Sequence, residues 1–292
     1  MNLTGQEAAR YAALIMYAWD MCDADLHNVT PTPDVRIAAD GWEVVGFITG
    51  SDDITKAGKG IRTQVLGAST DANDLVCYGY LARNSQGMFA AVVRGTDGAE
   101  EWFDDFDFFP RNPNAPLQGM VESGFYEIFD SMNYQPLGGS AASRLANGIA
   151  QVVGAAPIVV LGHSLGAALG TFLAAELADR NNAPNVAACL FASPKPGNKA
   201  FADYFASKIS DYVVYNYEHD IVPDTPPVGF SPLSNVTVLS TGNSSAQIGS
   251  DKACCHHLIC YIALLDVDEF KRVIALQGTT PDDCKCAACV TL

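Results

Sequence analysis

Basic residues are scarce in this chain: 17 Lys and Arg stand against 33 Asp and Glu, a formal net charge of −16 over 292 residues. Such a field repels nucleic acid and anionic membrane surfaces, so neutral substrates or interfaces are the fitting partners. Long apolar runs are missing too. No stretch approaches the roughly 18 residues of a membrane span, and the longest candidate, Val152 to Leu161, is broken by Pro157. The N-terminus has no basic leader. Thr4-Gly5-Gln6-Glu7 reads instead as a capping box, followed by Tyr11, Leu14, Ile15, Ala18 and Trp19 at helical spacing. Structure is expected to begin almost at once in a soluble chain, secreted if a leader has been removed and otherwise cytoplasmic. Repeats, low-complexity tracts and Ser/Pro-rich or charged linkers are absent, which points to one domain over residues 1–292. What remains is 49% hydrophobic and 17% charged, ample for a large core and unlike a disordered chain.

Nine cysteines are present: Cys22, Cys77, Cys189, Cys254, Cys255, Cys260, Cys284, Cys286 and Cys289. They are scattered through core segments and loops, unlike the regular framework of a small secreted domain. Cys284, Cys286 and Cys289, on an expected tail over about 279–292, offer three thiolates for a metal or for disulfides. A fourth ligand is not evident, so no metal site is expected.

Along the chain, strand-forming and helix-forming segments alternate. Trp42 to Thr49 is rich in strand formers and stops at a turn cluster. Leu75 to Ala82 and Met88 to Arg94 flank Arg83-Asn84-Ser85-Gln86-Gly87, which predicts a hairpin and antiparallel early strands. Residues 97–110 mix acids with large aromatics. Phe106, Phe108 and Phe109 are read there as packing on the core, and Trp102 and Phe103 as the apolar side of a lid that opens on lipid. Val121 to Asp130 predicts a short element, and Ala141 to Val153 a helix with Leu145, Ile149 and Val152 inward. Val186 to Phe191, Lys199 to Ile209 and Tyr212 to Tyr217 read as strand, helix and strand. This alternation implies a mostly parallel sheet with ligand sites beyond its carboxyl ends.

Between those halves lies Pro157 to Ala168. A β-branched run meets Gly162-His163-Ser164-Leu165-Gly166, and an alanine-rich segment follows to Arg180. Strand, sharp turn and helix are the setting of a nucleophile elbow, where glycines relieve the crowding that exposes the serine hydroxyl. Serine needs a base, and the base an acid. In an α/β-hydrolase the order is serine, acid, histidine. Of five histidines only His256 and His257 come late enough, and spacing does not separate them. Asp220 stands just past the strand Tyr212 to Tyr217 and is the best-placed acid, with Asp224 next. For the oxyanion, the backbone N–H of Leu165 is one donor, and Thr96 at the end of the Met88 to Arg94 strand supplies another.

Several ordered stretches together resemble the class 3 lipase family of α/β-hydrolases: Val92-Val93-Arg94-Gly95-Thr96 with Trp102 and Asp105, Ser123-Gly124-Phe125, the elbow, Ala192 to Asn198, Asp220-Ile221-Val222-Pro223, and His256 to Ile262. The resemblance implies Ser164 as nucleophile, Asp220 as acid, Thr96 and Leu165 as oxyanion donors, and a lid including Trp102. It selects His256 through His-x-Leu-x-x-Tyr, while fungal members with His-Leu-x-Tyr keep His257 as the alternative. Two departures stand out: Glu122 replaces the usual histidine before Gly-Phe, and Ala167 the usual second glycine. The implied activity is hydrolysis of neutral lipid esters at a lipid-water interface, with no metal or cofactor. The alternatives are an esterase for soluble or feruloyl-type esters, and a non-catalytic binding module on the same scaffold.

Overall fold

The computed structural model describes residues 1–25, 28–51, 75–95, 108–139, 141–180, 185–276 and 287–292. The strands are β1 (Trp42–Ser51), β2 (Leu75–Asn84), β3 (Phe89–Val93), β4 (Pro110–Arg111), β5 (Val121–Glu122), β6 (Asn133–Pro136), β7 (Ser143–Arg144), β8 (Ile158–His163), β9 (Val186–Phe191), β10 (Tyr212–Tyr217), β11 (Val236–Leu239), β12 (Gln247–Ile248) and β13 (Val290–Thr291). Among the described residues the helices are α1 (Gly5–Asp23), α2 (Val35–Ala39), α3 (Ser123–Ser131), α4 (Leu145–Val153), α5 (Leu165–Ala178), α6 (Lys199–Lys208), α7 (Lys252–His256), α8 (Leu258–Leu265) and α9 (Val267–Leu276).

One sheet runs in the order β11-β10-β9-β8-β3-β2-β1-β6-β7. Pairings from β3 through β8, β9 and β10 to β11 are parallel, whereas β1, β2, β3, β6 and β7 pair antiparallel. Every residue of β8 is buried, as a strand covered on both faces requires. Alternate residues serve opposite layers. Ile158 and Val160 join Leu145, Phe172 and Phe201 on one side, while Val159 and Leu161 join Leu14, Ile262 and Phe270 on the other. The sheet therefore lies between α3, α4, α5 and α6 on one face and α1, α8 and α9 on the other.

The capping box forms: Glu7 N–H donates to Thr4 Oγ1 and Thr4 N–H to Glu7 Oε2 at 2.8 Å. Elsewhere the structure redraws details. α4 begins at Leu145, because Ser143 and Arg144 are taken up by pairing with β6. In its last turn Val153 is buried and Val152 is 41% exposed. Phe108 meets Phe125 edge-on, but Phe109 is 43% exposed rather than packed in the core; Phe106 lies outside the described residues. The chain end is no free tail, since β13 pairs with β12 and Cys289 is disulfide-bonded to Cys254. A second disulfide joins Cys22 to Cys77. Cys284 and Cys286 are outside the described residues.

Candidate active site

Ser164 is the hinge between β8 and α5, with φ 57° and ψ −129°. A non-glycine residue in this region carries strain, and its neighbours must leave room. They do: a Cβ on Gly162 would collide with the carbonyl of Gly166, and one on Gly166 with the carbonyls of Val93 and Arg94. The glycines thus let the elbow press against the end of β3. Gly95 sits on the same spot, where a Cβ would lie 3.2 Å from the Ser164 Cβ. Arg94 holds that corner. Its buried guanidinium donates to the carbonyls of Cys77 and Gly95 and pairs with Asp23 at 3.4 Å.

Ser164 Oγ lies 2.8 Å from His256 Nε2, and His256 Nδ1 lies 2.8 Å from Asp220 Oδ2. With the carboxylate accepting from Nδ1, Nε2 is the ring atom left to accept the serine proton. All three residues are buried. Asp220 collects two further donors: the Tyr261 hydroxyl at 2.6 Å and the Val222 N–H at 2.9 Å. The Tyr217 N–H in turn donates to the Tyr261 oxygen at 3.0 Å. Tyr261 therefore bridges the end of β10 to the acid, a contact that sequence reasoning missed. Its only signal was a hydroxyl within the apolar stripe of α8. Burial, with Asp220 beside it, pushes the Tyr261 phenol well above its ordinary range.

The two adjacent histidines part company because α7 ends between them. His256 is the last residue of α7 and turns its ring inward, whereas His257, at φ −60° and ψ 132°, caps the junction with α8 and is only half-buried. The alternative acid Asp224 is exposed, in the short 3-10 turn Val222–Asp224. Lys195, after β9, braces this loop by donating to the carbonyls of Asp224 and Pro226. Leu165 opens α5, so its N–H has no intrahelical acceptor. Thr96, Trp102 and Phe103 lie outside the described residues, as does most of the 97–110 segment.

Two further titratable groups are buried, His163 beside the site and Glu122 at the cap of α3. His163 Nε2 lies 2.9 Å from the His256 carbonyl, and burial holds this imidazole well below its ordinary range. Glu122, fully buried, caps α3 by accepting the Phe125 N–H at 2.7 Å. Burial pushes its carboxyl up to about 7 against the pull of backbone donors. Among the described residues, Asp251, Cys254 and Cys289 are the one group with ligand atoms close enough for a metal, but the two sulfurs are bonded to each other.

Residues 90–230 match the family Lipase (class 3). The chain is 30% identical over 200 residues to Phospholipase A1-II 7 of Oryza sativa subsp. indica, covering 58% of this chain and 49% of that protein. It is 26% identical over 179 residues to Secreted mono- and diacylglycerol lipase A of Penicillium cyclopium, covering 59% and 55%. The chain thus spans about half the length of the curated relatives it matches. Among solved structures, a mutant form of MDLA from Penicillium cyclopium superposes with a TM-score of 0.54 at 19% identity, covering 86% of this chain and 82% of that one. Rhizomucor miehei triacylglyceride lipase gives 0.54 at 20%, covering 86% and 83%. The fold is that of the α/β-hydrolases, its mixed central sheet flanked by helices.

Proposed function

Over residues 90–230 the chain belongs to the class 3 lipase family, and from that premise we propose that it is a serine hydrolase of carboxylic esters in neutral lipids. The observation that carries the reading is the unbroken line of contacts from Ser164 Oγ through the His256 ring to Asp220, at a strained strand-to-helix turn. The same line argues against a non-catalytic module, for which a missing member would be the mark.

His256 Nε2 takes the Ser164 proton as Oγ bonds to the ester carbonyl carbon, and the carbonyl electron pair moves onto oxygen. The Leu165 N–H, joined in this proposal by Thr96, stabilises that oxyanion. Collapse expels the alcohol with the proton from His256. Water, deprotonated by the same ring, then attacks the acyl-enzyme and releases the fatty acid. No step calls for a metal or cofactor. The net charge of −16 favours uncharged acylglycerols over anionic lipids, and mono- and diacylglycerol lipases stand among the relatives. Trp102 and Phe103 are proposed as the interface-facing side of a lid. Two disulfides and relatives named as secreted support work in an oxidising compartment. Among the described residues no helix is long and apolar enough to cross a membrane.

A serine-directed phosphonate should label Ser164, and Ser164→Ala should lose both labelling and roughly 10⁴- to 10⁶-fold of kcat. Emulsified long-chain triacylglycerol should be cleaved with a rate jump above its solubility limit. Faster turnover of short soluble p-nitrophenyl esters, with no such jump, would instead select the soluble-ester reading.

A further inference from the structure

We propose that His163, the residue before the proposed nucleophile, is a positioning residue that holds His256 in register with Ser164; the inference rests on those two residues acting as read above. His163 ends β8 and is 4% exposed. Its backbone leads directly into Ser164, while its Nε2 lies 2.9 Å from the main-chain oxygen of His256. A carbonyl only accepts, so Nε2 carries the proton. His256 closes α7, and the last carbonyls of a helix have no donor within it. The His163 N–H meets that need. The two rings also lie against each other, with centroids 4.8 Å apart and planes inclined by 33°.

These contacts make a closed circuit. It runs from Ser164 along the chain to His163, across Nε2–H to the His256 carbonyl, and from the His256 ring back to Ser164 Oγ at 2.8 Å. One side chain therefore constrains the separation of the two reacting atoms. A ring placed here only to fill space would do better as phenylalanine, because His163 Nδ1 is buried without a partner among the described residues. The feature that the position uses is the Nε2–H.

The arrangement requires His163 to stay neutral, since a second positive ring would oppose the charge that His256 takes up. Burial and the facing His256 ring keep it so. The titratable groups around it are His256 and His257 at the end of α7 and Tyr261 on α8, whose ring stands edge-on at 6.0 Å, with Asp220 beyond the His256 ring.

The test compares His163→Phe and His163→Gln with the wild type on one ester, each normalised by phosphonate titration. His163→Phe keeps the packing but loses the donor, and should lower kcat about 10- to 100-fold with KM within about twofold. His163→Gln presents an N–H at similar reach and should recover most of that loss. A His163→Phe enzyme within about twofold of wild-type kcat, or a Gln variant as slow as the Phe variant, would overturn the proposal. Should His163→Phe fail to fold, nitrogen-15 histidine NMR of the wild type decides. The expected spectrum shows His163 as the neutral Nε2–H tautomer across the pH range where the enzyme is folded. A proton on Nδ1 would sink the proposal. A wild-type chain that neither labels nor turns over ester would refute the functional reading instead, and the NMR result would still judge the geometry.

Discussion

Asp220 receives hydrogen bonds from an imidazole, a phenol and a backbone amide, so its two oxygens are pinned in a single orientation toward His256. Tyr261 is the member of this set that side-chain replacement tests most directly. Tyr261→Phe removes one donor from Asp220 and leaves the Tyr217 N–H without its acceptor. Leaving a buried donor unpaired costs about 1–3 kcal/mol, and that loss should appear in urea denaturation. The freed carboxylate should aim the base less well, so kcat is expected to fall about tenfold with KM nearly unchanged. A variant equal to wild type in both measurements would show that Tyr261 only fills space.

At the scale of elements, the elbow works because a strand, a helix and the end of a neighbouring strand meet where side chains would collide, and glycines stand at the collisions. α3 is held differently, by a buried acid at its cap. The Glu122 carboxyl is raised by burial from an ordinary 4.5 to about 7. Below pH 4.5 folded and unfolded chains both hold the proton, and Glu122 contributes no pH dependence. Between 4.5 and 7 the unfolded chain releases it while the folded chain retains it, so stability falls as pH rises through that window and levels off above it. The full change is on the order of 3 kcal/mol. Glu122→Gln, which can still accept the Phe125 N–H, should flatten this part of the profile and melt higher than wild type at pH 8. Parallel melting curves from pH 5 to 8 would count against the cap as the source.

For the whole molecule, covalent cross-links tie the termini to the layers. Cys22 anchors α1 to β2, and Cys289 brings the chain end back to α7, the helix that ends on His256. The second link closes a separation of 35 residues. Cys289→Ser should therefore lower stability by about 2–4 kcal/mol, measured by denaturant titration, and peptide mapping without reductant should recover the two segments joined. Recovery of Cys254 and Cys289 as free thiols from the native protein would refute the link.

Local pattern made much of this legible. Strand formers bounded by turn clusters marked β1, β2 and β3, and the continuous apolar run before Gly162 marked a strand buried on both faces. The order of serine, acid and late histidine drew attention to three side chains that do lie in hydrogen-bonding contact. The two-residue strand β7 escaped notice because Ser143 and Arg144 carry no strand signal of their own and pair only where β6 offers an edge. Phe109 misled because an aromatic side chain shows nothing of its surroundings without its neighbours.

What the sequence determined by itself was therefore whatever is written over a few residues: the elbow, the capping box and the alternation of strands and helices. The tertiary structure alone brought the His256 ring, and not that of His257, against Ser164, joined Cys254 to Cys289, and set Tyr261 on Asp220 and His163 on the His256 carbonyl. Those contacts link residues 35, 41 and 93 positions apart. No local period encodes such a distance, because each depends on where β8, β10 and α7 come to rest about the central sheet.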